Sequence, residues 1–91
     1  MQQKNDKTVN LALIIGDVVK NLRMTKKNCS INRFAREYEL DAGNTSRIEK
    51  GLIEVKVVTL WKIAEALDMK LSDLIKEVES RAGDDFHLID Y

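Results

Sequence analysis

Ninety-one residues are enough for one compact domain and too few for two, so a second catalytic lobe is not expected. Fifteen basic residues balance fifteen acidic ones, and a formal net charge of zero gives no whole-chain support for a strong polyanion binder. Cys29 is the only cysteine, which excludes an internal disulfide and a thiolate cluster for a metal, and suits a reducing compartment.

Residues 1–9 read as a frayed, flexible leader. From Asn10 to Met24, Leu11, Ile14, Ile15, Val18, Val19 and Leu22 recur at steps of three and four, the pattern of an amphipathic helix. Lys20 and Arg23 would occupy its last turn, where the helix dipole favours cations. The apolar run Leu11 to Ile15 is too short to span a bilayer and the first residues lack a signal-peptide pattern, so a cytoplasmic protein without a membrane partner is expected.

Thr25 to Asn28 reads as a polar connector, and Ser30 is a candidate N-cap for a second helix, Ile31 to Tyr38, with Phe34, Ala35 and Tyr38 inward. Leu40 plugs the turn that follows. Asp41 is the next N-cap candidate, its carboxylate accepting from the amide of Gly43 or Asn44, and opens a third helix from Ala42 to Lys50. Gly51 suits a left-handed C-terminal position. Gly43, inside that helix, costs up to about 1 kcal/mol against alanine, which reads either as close approach to another surface or as simple tolerance in a first turn.

Leu52 to Val58 reads as an extended linker, since a lone strand in a helical chain has no partner. Val57 to Leu67 supplies a fourth helix with Leu60, Ile63, Ala64 and Leu67 as its buried stripe. Leu71 to Arg81 supplies a fifth, burying Leu71, Leu74, Ile75 and Val78. One domain over residues 10–81 results, with a tail over 82–91 that is loose, packed on its own core or engaged with a second copy. Charge is uneven along this path: Lys20 to Lys50 holds eight bases and four acids, and Ile63 to Tyr91 three bases and eight acids. That gradient is either an unevenly solvated surface or a basic face for phosphates backed by an acidic one.

Ala35 and Ile48 suit a close helix crossing, a small side chain admitting a bulky one. The chain then resembles the helix-turn-helix family of phage repressors and xenobiotic-response-element regulators, the Cro/C1 type, from Ile14 to Ile75. The resemblance is carried by Ser30, Phe34, Ala35, Leu40, the run Ser46 to Gly51, the run Thr59 to Leu67, and Leu71 to Leu74 in their joint order and spacing. It implies an all-α, five-helix, lambda-repressor-like DNA-binding domain with a short C-terminal extension, usually dimeric on a palindromic operator, whose third helix enters the major groove.

Carried onto this chain, the resemblance puts Ile31, Ala42, Gly43, Asn44 and Arg47 at the groove. Ile31 stands where many relatives have a glutamine and can neither brace a base-reading side chain nor touch phosphate. Of the base-reading positions Ala42, Gly43, Asn44 and Arg47, alanine offers contact with a thymine methyl and glycine only closeness. Asn44 suits adenine, and Arg47 guanine or a phosphate. Ser30, Asn32, Arg33, Lys50 and Lys56 are the phosphate candidates. Glu49, with the wrong sign for DNA, is expected to pair with a basic residue inside the domain. Thr45 falls where relatives bury an aliphatic residue; its hydroxyl is expected to return to a helix carbonyl. The segment from Leu22 to Ser30 is one residue longer than the common family spacing.

No nucleotide loop, metal-ligand spacing or nucleophile constellation is present in the sequence, so no enzyme, metal or cofactor is expected. Trp61 reads as core-edge packing or as the centre of a dimer interface, which Met69, Val78, Phe86, Leu88, Ile89 and Tyr91 would extend. The expected function is a sequence-specific regulator, more readily a repressor than an activator, acting as a homodimer on a double-stranded operator. The competing expectation is a protein-interaction or antitoxin-like module that keeps the fold with weak specific DNA binding.

Overall fold

The computed structural model describes residues 6–89, and among them the chain forms five α-helices and no strand. These are α1 (Asp6–Leu22), α2 (Ile31–Glu37), α3 (Ala42–Glu49), α4 (Val57–Ala66) and α5 (Leu71–Ala82). The all-α, five-helix expectation therefore holds, with boundaries adjusted at several ends. α1 begins at Asp6, with that carboxylate in the first turn, so residues 6–9 are helical and not a frayed leader. The expectation for residues 1–5 lies outside the described residues.

At its other end α1 stops two residues before Met24, and the chain makes a single wide π-helical turn over Arg23–Lys27. The Asn28 amide donates to the Arg23 carbonyl five residues back, at 2.9 Å. A π turn takes up one residue more than the α turn it extends, which accommodates the longer connector between Leu22 and Ser30. The Thr25 hydroxyl donates to the Asn21 carbonyl at 2.8 Å, and Asn28 leaves the turn in the left-handed region at φ 47°. Asparagine is one of the few residues other than glycine that visits that region readily.

The core gathers one stripe from each helix: Val18 and Val19, Phe34, Ile48, Leu60, Ile63 and Leu67, and Leu74 and Val78. Ala35, Ala64 and Ala66 are buried with them and let the helices approach. α1 packs on α3 and α5, α2 on α3, and α4 on α5, so α1 is the element that joins the two-helix unit to the rest. Leu71 and Ile75 are only half-buried, and Leu40 packs against the core from the α2–α3 turn. Two polar clips close the ends. The Lys27 ammonium lies 2.6 Å from the Asp68 carboxylate and 5.2 Å from the centre of the Tyr38 ring, and an Arg81–Asp17 pair ties α5 to α1. The bond between them holds the Lys27 ammonium above the usual lysine range and the Asp68 carboxyl below the usual carboxylate range.

The tightest point is Gly16, buried in the middle of α1. A β-carbon there would lie 2.5 Å from the Glu49 carbonyl oxygen and 2.8 Å from its carbon, and would also strike the Ile48 carbonyl. The α1 backbone thus rests on the last turn of α3 with no side chain between. Gly51, at φ 71°, follows that turn and donates from its amide to the Ile48 carbonyl at 3.0 Å, as expected of a left-handed helix exit. Gly16→Ala is expected to lower stability by about 2 kcal/mol or more, because the overpacking cost outweighs a helix-propensity gain of about 1 kcal/mol. Urea unfolding checks this as a lower midpoint at an unchanged slope.

Candidate nucleic-acid interface

The unit from Ser30 to Gly51 is built by its caps. The Ser30 hydroxyl accepts from the Arg33 amide at 3.2 Å, and the Asp41 carboxylate accepts from the Asn44 amide at 2.8 Å, each satisfying an orphan donor of a first turn. Tyr38 caps α2, which is one residue shorter than its sequence suggested, and the Leu40 amide returns to the Ala35 carbonyl at 2.8 Å. Thr45 is 1% exposed, and its hydroxyl donates to the Asp41 carbonyl at 2.8 Å, so a polar residue at an aliphatic position leaves no orphan group. α3 ends at Glu49 with Lys50 as its cap.

Beneath this unit lies a buried ion pair. Arg23 Nε and a terminal nitrogen donate to the two carboxylate oxygens of Glu49 at 2.8 and 2.9 Å, a bidentate fork. The two side chains are 6% and 3% exposed. The remaining terminal nitrogen donates to the Cys29 carbonyl, one residue before the cap of α2. Arg23 therefore joins the end of α1, the entry to α2 and the last turn of α3. Hydrogen bonding to Glu49 holds its guanidinium above the usual arginine range. Sequence reasoning anticipated an internal partner for Glu49 but gave Arg23 to the helix dipole, since the π turn that swings it inward has no propensity signal.

The base-reading candidates lie along α3, Gly43 and Arg47 on its outer side and Ala42 and Asn44 flanking it. Ala42 and Asn44 are half-buried, and Gly43 and Arg47 are exposed. Lys50 is exposed at the helix end, and Lys56, also exposed, occupies the N-cap position of α4. Ser30, Asn32 and Arg33 are exposed at the start of α2. Arg33 pairs with Glu37 one turn on, at 2.9 Å, so its charge is partly matched before any phosphate arrives. Thr45, Ile48 and Glu49 face the core. α3 is thus two-sided, with fold residues inward and candidate contacts outward.

The candidate dimer residues divide. Trp61 is 53% exposed on α4, so about half of its surface is open to a partner. Val57 and Val58, at 66% and 67% exposed in the first turn of α4, extend its apolar surface, and neither is among the interface candidates read from the sequence. Met69 is half-buried beside a groove that also takes in Trp61, Leu71 and Ile75. Val78 is corrected: it is 5% exposed and part of this chain's own core, one turn after Leu74. Phe86 is half-buried, Leu88 and Ile89 are exposed, and Tyr91 lies outside the described residues. No described helix is long and apolar enough to cross a membrane, and no group of three or more His, Cys, Asp or Glu among the described residues could hold a metal.

A two-helix unit capped at both starts, with polar and basic side chains on the outer side of its second helix, defines a helix-turn-helix domain. Residues 21–79 match the model of the Cro/C1-type HTH DNA-binding domain, and the chain belongs to that family. It is 38% identical over 64 residues to control protein C.MunI of Mycoplasma sp, covering 70% of this chain and 86% of that protein. With control protein C.BamHI of Bacillus amyloliquefaciens it shares 34% identity over 68 residues, covering 75% and 84% of the two chains. The crystal structure of the clp gene regulator ClgR from Corynebacterium glutamicum has the same fold, with a TM-score of 0.68 at 22% identity over 78% of this chain and 74% of that one.

Glu49→Ala is expected to cost about 3–5 kcal/mol, since it leaves the Arg23 cation buried without a partner. The double change Arg23→Met with Glu49→Leu should recover most of that loss. Thermal and urea unfolding of the wild-type chain and the two variants check both expectations.

Proposed function

We propose that the protein is a sequence-specific transcriptional regulator that binds a palindromic operator as a homodimer. The observation that carries this reading is the outer side of α3, where Asn44 and Arg47 stand beside Lys50, on a helix seated against the core. Arg47 presents donors suited to guanine and Asn44 the paired donor and acceptor suited to adenine. Ser30, Asn32, Arg33, Lys50 and Lys56 supply phosphate contacts that position without specifying. The printed names of its relatives, control proteins and a gene regulator, support a regulatory role. Repression by occupancy is the simpler outcome, because it needs no further surface. The apolar face of Val57, Val58 and Trp61 supports self-association, since such patches on a small soluble domain mark interaction sites.

Selection from a random duplex library is expected to enrich one palindromic site. Arg47→Ala should then relax discrimination at one base position by about 1–3 kcal/mol. Lys50→Ala should weaken every duplex alike and reduce the salt slope by about 0.9. Equal affinity for all duplexes would overturn the reading and favour a protein-binding module, which the bare Ala42 and Gly43 positions also suit.

The dimer has its own check. Sedimentation of the wild-type chain is expected to give twice the mass of one copy, and Trp61→Glu the mass of one. A wild-type chain that stays monomeric at high micromolar concentration, with and without operator, would count decisively against self-association.

A further inference from the structure

The first turn of α3 carries a glycine that the fold does not require. Gly43 is not in the left-handed region, unlike Gly51 and Gly83. A β-carbon there would meet Asp41 Oδ1 at 3.4 Å and the Arg47 guanidinium at 3.6 Å, ordinary contacts with movable side chains. Alanine would fit and would favour the helix. Gly43 also borders a surface cleft between the starts of α2 and α3, lined by Ile31 and Ala42 together with Ser30, Asn32 and Ser46. Arg23 also borders it, but its donors are committed to Glu49 and the Cys29 carbonyl.

Three neighbouring positions in that cleft present only carbon. Ile31 is half-buried at the first position of α2, Ala42 is half-buried at the first position of α3, and Gly43 is exposed beside it. None of the three side chains can donate or accept a hydrogen bond to a base edge. The one apolar feature of a base pair in the major groove is the methyl group at carbon 5 of a pyrimidine. Resting on the operator reading above, we infer that this cleft receives a pyrimidine 5-methyl group, with Ile31 as a specificity-determining residue. The methyl packs against Ile31 and Ala42, with Gly43 at the edge of the cleft, and Ser30, Asn32 and Ser46 leave the rim polar for the adjacent backbone.

Thymine and 5-methylcytosine both carry this methyl, and substituted duplexes separate them. In the enriched operator, thymine is replaced by uracil one position at a time. One thymine in each half-site is expected to lose about fourfold in affinity, the transfer free energy of one buried methyl expressed as a binding ratio. At that position 5-methylcytosine in place of cytosine should regain the loss if the cleft reads the methyl alone. Absence of that rescue, with the uracil loss intact, makes thymine the ligand. Ile31→Gln should bind the operator with no difference between thymine and uracil, and Ala42→Gly should shrink the difference. Circular dichroism melting shows that both variants fold. An operator bound in preference to random duplex, yet indifferent to uracil at every thymine, overturns the methyl reading and leaves the operator reading standing. Failure to enrich any operator overturns both.

Discussion

The fork between Arg23 and Glu49 is the constraint on which the arrangement of α2 and α3 depends. A buried ion pair gains little over an apolar pair of the same shape, because desolvation offsets most of the attraction. Its value here lies in geometry. Two parallel hydrogen bonds fix the angle between the end of α1 and the end of α3, and the bond to the Cys29 carbonyl fixes where α2 begins. An apolar pair could fill the same space without setting that angle. Gly16 completes the constraint from the other side, by letting the α1 backbone rest on the carbonyls of Ile48 and Glu49.

The consequence is an α3 whose position is decided inside the domain. α3 has eight residues and would be marginal in isolation, since helices of that length gain too few bonds to offset nucleation. Its caps, the buried Thr45 and Ile48, and the Glu49 fork supply what its length does not. On the DNA-binding reading, little ordering of this segment remains to be done at the groove, and contact free energy goes into affinity. On the same reading the zero net charge agrees with that economy, since the proposed phosphate contacts are local to α2, α3 and Lys56 and the acidic second half would lend none of its own.

Much of this was legible in the sequence because it rests on local chemistry. Ser30 and Asp41 are caps wherever a helix starts behind them, and the Leu60, Ile63, Ala64, Leu67 stripe states its own period. Gly51 and the Thr45 hydroxyl behaved as their types suggest. What escaped depends on partners remote in sequence. Arg23 looks like any cation in a last turn until the π turn carries it toward Glu49, twenty-six residues away. Gly16 looks like the end of an apolar run, and its reason is a pair of carbonyls on α3. Val78 fits the period of α5 and an interface equally well, and only the packing of α5 against α1 and α4 decides for the core. Val57 and Val58 open α4 where the sequence placed its start, but helical period alone does not say that they would stand exposed, at 66% and 67%.

The two-sidedness of α3 bears on how such a protein changes over generations. Thr45, Ile48 and Glu49 answer to the core, while Ala42, Gly43, Ser46, Arg47 and Lys50 answer to whatever lies outside. Gly43, Arg47 and Lys50 in the second set are exposed, so substitutions there leave the core contacts of the first set in place. A lineage carrying this scaffold can therefore explore new target preferences in single steps without first passing through an unfolded ancestor.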